Sequence, residues 1–175
     1  MERRRTLILG GARSGKSAHA EGLLPADRAT YVATARVDPA DAEWTARIAA
    51  HVARRPATWD TVEPADLAAF LTDAPAGTPI LVDDVVTWLT SVFDDHAAWE
   101  GSLDPVRAEC DRLVAAVGAC RADVVLVSAE VGLGVVPATR SGRLFRDRLG
   151  ALNAAFADQC ASVVLLVAGI PLRLR

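Results

Sequence analysis

Short apolar runs alternate along the chain with longer segments in which apolar residues recur every three or four positions. The runs that predict buried strands cover residues 6–9, 30–33, 79–82, 123–127 and 163–167. Two weaker runs, at 58–62 and 172–175, predict further short strands. Because the strongest runs are continuously rich in Val, Ile and Leu, we expect a mostly parallel central sheet with helices on both faces.

The longer periodic segments predict helices, and the clearest spans 103–120, where apolar residues keep a three- to four-residue spacing. The predicted helices cover residues 16–24, 41–54, 64–71, 85–93, 103–120 and 140–161. Residues 94–102 and 130–137 are predicted loops. Since neither a linker nor a repeat interrupts this alternation, the prediction is one α/β domain over residues 1–175.

Charge and hydropathy exclude several classes of protein. The 175 residues include 19 Lys and Arg against 22 Asp and Glu, a net charge of −3, which argues against a nucleic-acid binder that works by overall positive charge. No apolar run reaches the roughly 18 to 20 residues of a membrane span. The apolar stretch after the basic start ends at Gly10, too early for a signal peptide. We therefore expect a cytoplasmic protein without a membrane span.

The cysteines do not form a recognisable site pattern. Cys110, Cys120 and Cys160 are odd in number, widely spaced and without a CxxC pair. That arrangement fits neither a disulfide framework nor a zinc site. We expect three buried free thiols.

A phosphate-binding loop lies between the first predicted strand and the first predicted helix. The pattern GxxxxGK[ST] is matched by Gly10, Gly11, Ala12, Arg13, Ser14, Gly15, Lys16 and Ser17. Glycines let backbone N–H groups wrap a phosphate chain, and the helix N-terminus adds partial positive charge. Lys16, the only lysine of the chain, should reach the β- and γ-phosphates, while Ser17 should bind Mg²⁺.

Three carboxylates follow predicted strands and should share the carboxyl edge of the sheet, where ligands of open α/β sheets bind. Asp83 follows the strand at 79–82 and is the best candidate for the metal. Asp84 is either a second contact or the cap of the following helix. Glu130 follows the strand at 123–127.

One predicted helix carries a histidine between arginines. Arg47, His51 and Arg54 share a face at helical spacing. This face is either a solvated basic surface that complements the helix dipole, or a nucleophilic imidazole with guanidinium groups placed to stabilise phosphate charge. The residues alone leave both interpretations open. His19 and His96 are interpreted as packing or surface residues.

Several segments, taken in order, resemble the bifunctional adenosylcobinamide kinase/adenosylcobinamide-phosphate guanylyltransferase family of cobalamin biosynthesis. Besides the phosphate loop they are residues 31–35, 47–51, 55–56, 59–63, 130–137, 145–147, 150–153 and 168–172. The resemblance spans essentially the whole chain. The chain departs from the family pattern at Ala129, where Asn is frequent, and at Asp84, where Cys is common.

The resemblance implies a RecA-like P-loop fold and a homotrimer. It also implies that the protein phosphorylates adenosylcobinamide with a nucleoside triphosphate, ATP or GTP, and then transfers GMP from GTP through a guanylylated histidine. His51 falls on that histidine, and Lys16 joins it as a catalytic residue. The implied nucleotide contacts are the phosphate loop, Ala33, Thr34, Ala35, Val52, Ala53, Arg54, Arg55, Glu63 and Asp83. The implied ligands of Mg²⁺ are Ser17 and Asp83.

Two other functions remain compatible with the sequence. One is a P-loop small-molecule kinase that performs no guanylyl transfer. The other is a RecA-type nucleotide-dependent regulatory or motor subunit, which would require a partner or a nucleic-acid surface. The net charge of −3 speaks against the nucleic-acid version.

Overall fold

A single seven-stranded sheet forms the centre of the computed structural model, which describes residues 4–36, 46, 48, 49, 52, 53 and 55–175. The strands are β1 (Arg5–Gly10), β2 (Thr30–Ala33), β3 (Asp60–Val62), β4 (Ile80–Asp83), β5 (Val124–Ala129), β6 (Ser162–Val167) and β7 (Ile170–Arg173). Their order is β3-β2-β4-β5-β1-β6-β7. Every neighbouring pair is parallel except β6 and β7, so the predicted mostly parallel sheet is confirmed.

Five helices have fully described bounds. They are α1 (Lys16–Glu21), α2 (Leu67–Asp73), α3 (Val85–Asp95), α4 (Asp104–Ala119) and α5 (Arg140–Gln159). The side chains of Asp66, Asp84 and Thr139 cap α2, α3 and α5 by accepting backbone N–H groups of the first turn. Of the predicted helix at 41–54, the residues with described helical backbone are Ala46, Ile48, Ala49, Val52 and Ala53.

Several predicted elements differ from the structure at their boundaries, and two of these differences have a structural explanation. The helix predicted from residue 64 begins at Leu67, because Asp66 occupies the N-cap position and its carboxylate accepts the Ala69 N–H at 2.9 Å. The last strand begins at Ile170 and runs antiparallel to β6. A tight turn at Ala168 and Gly169, both with positive φ, reverses the chain there.

Both faces of the central strands are buried, which explains the continuous apolar character of β1, β2, β4 and β5. Along β1, Leu7 and Leu9 belong to one core cluster and Ile8 to the other, as expected from the two-residue period of a strand. Helices α2 to α5 pack on the first face. On the second face, α1 contributes Ala20, which packs with Tyr31 and Trp59.

The parallel register brings the ends of the central strands to one edge. Gly10 at the end of β1 pairs with Ala129, and Asp83 at the end of β4 pairs with Ala33. The phosphate loop and the predicted acidic residues therefore share the carboxyl edge.

The remaining structural predictions concern the thiols and the membrane. All three cysteines are free and buried, as predicted. Burial raises the pKa of the Cys110 and Cys160 thiols to about 11. Within the described part of the chain, no helix is long and apolar enough to cross a membrane.

Candidate functional site

The phosphate loop bends sharply between β1 and α1. Arg13 and Gly15 both adopt left-handed backbone, with φ of 55° and 90°. Gly15 accommodates this conformation without strain because it has no Cβ. Its carbonyl oxygen then accepts the His19 N–H at 2.9 Å, which starts the hydrogen-bond ladder of α1. The loop thus delivers the chain directly to a helix N-terminus.

The start of the loop leaves no room for a side chain at Gly10. A Cβ atom there would lie 2.4 Å from Ser14 Oγ and 3.0 Å from the Leu166 carbonyl oxygen. Ser14 Oγ is buried and has no hydrogen-bond partner among the described residues. Buried polar atoms are nearly always paired in folded proteins, so this hydroxyl indicates a polar ligand in the loop.

The turn between β6 and β7 contacts the phosphate loop through a backbone hydrogen bond. The Gly169 N–H donates to the Ser14 carbonyl oxygen at 3.0 Å. A Cβ at Gly15 would lie only 3.7 Å from Gly169 Cα. Lys16 folds back onto the loop, where its Nζ lies 3.5 Å from the Gly11 carbonyl oxygen.

Asp83 connects the phosphate loop to the neighbouring strands. Ser17 Oγ donates to Asp83 Oδ1 at 3.2 Å, and the Tyr31 hydroxyl donates to Asp83 Oδ2 at 2.9 Å. A hydroxyl and a carboxylate are both hard oxygen ligands, the type that Mg²⁺ prefers. Because Mg²⁺ is commonly held by one or two protein oxygens together with water and phosphate, these two side chains fit it.

Tyr31 is a site residue that the sequence analysis missed. Its ring lies under the Arg55 guanidinium, 3.7 Å from the ring centroid, and Arg55 also donates to Thr61 Oγ1 at 3.0 Å. Burial, followed by the nearby charge of Asp83, raises the pKa of Tyr31 far above its usual value. The phenol therefore stays protonated and keeps donating to Asp83.

Asp84 and Thr34 connect the same edge to α3. Asp84 Oδ1 accepts the Thr87 N–H at 2.9 Å, which is the helix-capping role left open by the sequence. The Thr34 hydroxyl donates to the Asp84 carbonyl oxygen at 2.7 Å. Asp84 thus orients the start of α3, while Asp83 faces Ser17.

Glu130 lies beside the first glycine of the phosphate loop. Its backbone N–H donates to the Gly10 carbonyl oxygen at 3.3 Å. Its side chain turns back on its own loop, where Oε1 accepts the Gly132 N–H at 2.6 Å. In this conformation the carboxylate shapes the loop at 130–137.

A cavity of about 550 Å³ opens between the ends of β2 and β3, α2 and α3. We call it the charged cavity, because ion pairs surround it: Arg36 with Asp95 at 2.5 Å, and Arg112 with Asp66 at 2.8 Å. Four predicted nucleotide contacts line it together, namely Ala33, Thr34, Ala35 and Glu63.

Of the other predicted site residues, three lie in the described part of the chain and two do not. Val52 and Ala53 are helical and exposed, and Arg55 stacks on Tyr31. His51 and Arg54 lie outside the described residues, as does Arg47. The structure thus brings the phosphate loop, Asp83 and Arg55 together through Tyr31, and it groups residues 33–35 with Glu63.

Comparison with known proteins gives nearly full-length relatives. The family described as cobinamide kinase / cobinamide phosphate guanyltransferase matches residues 6–174. A bifunctional adenosylcobalamin biosynthesis protein, CobP of Pseudomonas aeruginosa, is 43% identical over 98% of this chain and 97% of its own length. The bifunctional proteins named CobU are 37% identical in Escherichia coli and 38% in Salmonella typhimurium, each over 97% of this chain and 98% of their own length.

Among solved structures, an ATPase from the type III secretion system of pathogenic bacteria has a similar fold, with a TM-score of 0.52 at 12% identity. The match covers 94% of this chain, which spans 51% of that ATPase chain. At this identity the similarity concerns the fold alone, and it agrees with the phosphate loop and parallel sheet described above. With a family match over residues 6–174 and a relative that is 43% identical over 97% of its own length, the chain belongs to the CobU family of cobinamide kinases/cobinamide phosphate guanyltransferases.

Proposed function

We propose that residues 1–175 form one kinase and guanylyltransferase domain that acts twice on a corrinoid. It first phosphorylates adenosylcobinamide with ATP or GTP, and then transfers GMP from GTP to the new phosphate, giving adenosylcobinamide-GDP. Family membership supports both reactions. The single structural observation that carries the proposal is the contact between Ser17 and Asp83, which closes a complete phosphate loop against the end of β4.

In the kinase step the substrate hydroxyl attacks the γ-phosphate, a new P–O bond forms, and the nucleoside diphosphate leaves. The loop N–H groups and the Lys16 ammonium bind the phosphate oxygens, where negative charge accumulates during transfer. Ser17 and Asp83 are the residues that would hold Mg²⁺, which supplies further neutralisation of phosphate charge when bound. Tyr31 keeps Asp83 in place through its hydrogen bond at 2.9 Å.

In the transfer step the neutral imidazole of His51 attacks the α-phosphate of GTP, a P–N bond forms, and pyrophosphate leaves. The phosphate of the acceptor then attacks the same phosphorus, the P–N bond breaks, and His51 is released. Histidine suits this role because it is nucleophilic when neutral and a good leaving group when protonated. The charged cavity is lined by residues 33–35 and Glu63, which supports a nucleotide-binding role for these residues.

We also propose a cytoplasmic homotrimer that binds no nucleic acid. Support for association comes from exposed apolar side chains at the carboxyl edge, where Leu133 is 84% and Val135 95% exposed. Exposed apolar groups of this kind mark interaction surfaces in soluble proteins. Light scattering on a sizing column checks the prediction. A particle of three times the chain mass of 18.5 kDa is expected, and a particle with the mass of one chain would contradict the trimer.

The histidine is tested with GTP labelled at the α-phosphate. Acid-labile label should appear on the protein, disappear in His51→Ala, and persist in the matched variant His19→Ala. Equal labelling of His51→Ala contradicts the assignment. Addition of adenosylcobinamide should then move the label to a product with the mass of adenosylcobinamide-GDP. Transfer of γ-phosphate without any protein label would instead support a kinase that lacks guanylyl transfer.

A further inference from the structure

A second cavity, of about 590 Å³, lies on the other side of α3 from the charged cavity. Val86 and Thr90 line it from α3, Trp99 from the following loop, and Ser141 and Phe145 from the first turns of α5. We call it the aromatic cavity. It is wide open to solvent, and the residues that form it are not part of the nucleotide contacts described above.

Two aromatic rings line this cavity, Trp99 and Phe145, and both pack against Phe93 in the core. Phe93 is fully buried and stacks on Trp99, with ring centroids 4.4 Å apart. Phe145 lies 6.1 Å from both rings. The Trp99 indole N–H donates to Asp94 Oδ1 at 2.6 Å, which fixes the orientation of the ring. A preformed apolar surface costs little ordering free energy when a ligand binds.

Helix α3 connects the aromatic cavity with the end of β4. Its N-cap, Asp84, directly follows Asp83, and Val86 comes two residues later. Trp88 and Val92 line the charged cavity, whereas Val86 and Thr90 line the aromatic cavity. Because helical residues two apart lie on nearly opposite faces, α3 separates the two cavities at the same edge of the sheet.

The rim of the aromatic cavity offers hydroxyl groups. Thr90 Oγ1 donates to the Val86 carbonyl oxygen at 2.9 Å, so its lone pairs remain able to accept a hydrogen bond. Ser141 and Thr139 add two more hydroxyls at the start of α5. Glu100 is the one charged residue of the lining, and its carboxylate lies 3.6 Å from Arg140.

We propose that the aromatic cavity binds the corrinoid acceptor, an inference that rests on the proposed function. A corrinoid combines a broad apolar macrocycle with peripheral amide groups. The aromatic wall packs against the macrocycle, and the hydroxyl rim hydrogen-bonds the amides. Since a corrinoid is larger than 590 Å³, the cavity holds one edge of it. The aminopropanol arm then lies outside the cavity, on the side where α3 begins directly after Asp83.

The charged cavity is a poorer fit for this ligand. Its lining contains the ion pairs of Arg36 with Asp95 and of Arg112 with Asp66, which a macrocycle would have to desolvate. It also contains residues 33–35 and Glu63, which we assign to the nucleotide. On this assignment the nucleotide binds in the charged cavity on one side of α3, and the corrinoid binds in the aromatic cavity on the other side.

The test fills the aromatic cavity. Thr90→Phe should raise the KM for adenosylcobinamide about tenfold or more, equivalent to a loss of about 1.4 kcal/mol in binding. The KM for nucleotide and the labelling of the protein by GTP alone should not change. Ala115→Phe places the same bulk at an exposed position of α4 outside the cavity and should behave like the wild type.

A second variant guards against a folding defect. Ser141→Trp adds bulk at the partly exposed start of α5 and should also raise the KM for the corrinoid alone. Corrinoid binding should quench tryptophan emission in the wild type and less in Trp99→Phe. If both bulky variants keep the wild-type KM for the corrinoid, the cavity assignment is overturned. If the wild type transfers no phosphate or GMP to adenosylcobinamide, the proposed function fails instead.

Discussion

The two halves of the phosphate site are built in different ways. On one side, residues 10–17 shape a cradle from backbone, with left-handed conformations at Arg13 and Gly15. On the other side, Asp83 is held by the side chains of Ser17 and Tyr31, and Tyr31 in turn lies under Arg55. The first half is complete within eight consecutive residues. The second half requires β2 to lie beside β4, and it requires Arg55 to lie against Tyr31 of β2.

This difference predicts how each half fails. In the backbone half, a side chain added at Gly10 moves the main chain, because its Cβ would lie 2.4 Å from Ser14 Oγ and 3.0 Å from the Leu166 carbonyl oxygen. A substitution in the side-chain half removes one hydrogen bond and leaves the fold in place. Stability measurements and kinetic measurements should therefore separate the two halves.

The largest effect is expected for Lys16→Ala. The ammonium is a charged phosphate ligand, and removing one such group from a developing charge costs about 10²–10³-fold in kcat. The melting temperature should stay near the wild-type value, since the only contact described for Nζ is the Gly11 carbonyl oxygen at 3.5 Å. Steady-state kinetics with adenosylcobinamide measures the change in kcat, and calorimetry measures the melting temperature. Kinase activity within a few-fold of the wild type would contradict the role of Lys16.

Gly10→Ala should damage stability as well as activity. The new Cβ would lie 2.4 Å from Ser14 Oγ, and overpacking of this kind costs about 1–3 kcal/mol. Each kcal/mol lowers the melting temperature by about 2–4 °C in a chain of this size. Gly11→Ala is the matched control for stability, because a Cβ there meets nothing within 4 Å. Equal melting temperatures for the two variants would show that the cradle is not tightly packed.

Tyr31→Phe tests the side-chain half of the phosphate site. The variant keeps the ring under Arg55 and loses only the hydrogen bond to Asp83, a contact worth about 1.5–3 kcal/mol when the acceptor is charged. We expect kcat/KM to fall about tenfold and the Mg²⁺ concentration for half-maximal activity to rise. A loss of stability with unchanged Mg²⁺ dependence would show that Tyr31 has a packing role alone.

The smallest effect on the site is expected from thiol chemistry. The pKa of Cys110 and Cys160 is about 11 rather than 9, so at pH 8 both thiols stay protonated and native protein should react slowly with iodoacetamide. A pKa raised on folding stabilises the fold fully below pH 9, and this contribution is lost as pH rises towards 11. Reaction should therefore accelerate on unfolding or at high pH, which mass spectrometry follows. Rapid labelling of native protein at pH 8 would be the opposite result.

The sequence predicts the backbone half well because its information is local. Residues 10–17 match a pattern whose spacing alone specifies the strand, the turn and the helix N-terminus. The strands of the core were also predictable, since burial on both faces leaves continuous apolar runs. The antiparallel direction of β7 was not predicted, because it depends on the turn at Ala168 and Gly169.

The side-chain half escaped prediction because it depends on strand order. Tyr31 lies 52 positions from Asp83 in the sequence, and only the pairing of β2 with β4 makes them neighbours. Asp84 shows the same limit, since its capping role required the conformation of the first turn of α3. For His51, which lies outside the described residues, the covalent role remains a prediction from family resemblance.

The hydrogen bond from Gly169 to Ser14 gives the last two strands an influence beyond their own position in the sheet. The β6–β7 hairpin supports the phosphate loop, although its turn lies more than 150 positions along the chain from that loop. We therefore expect an antibody fragment or a fused protein that displaces the hairpin to weaken nucleotide binding.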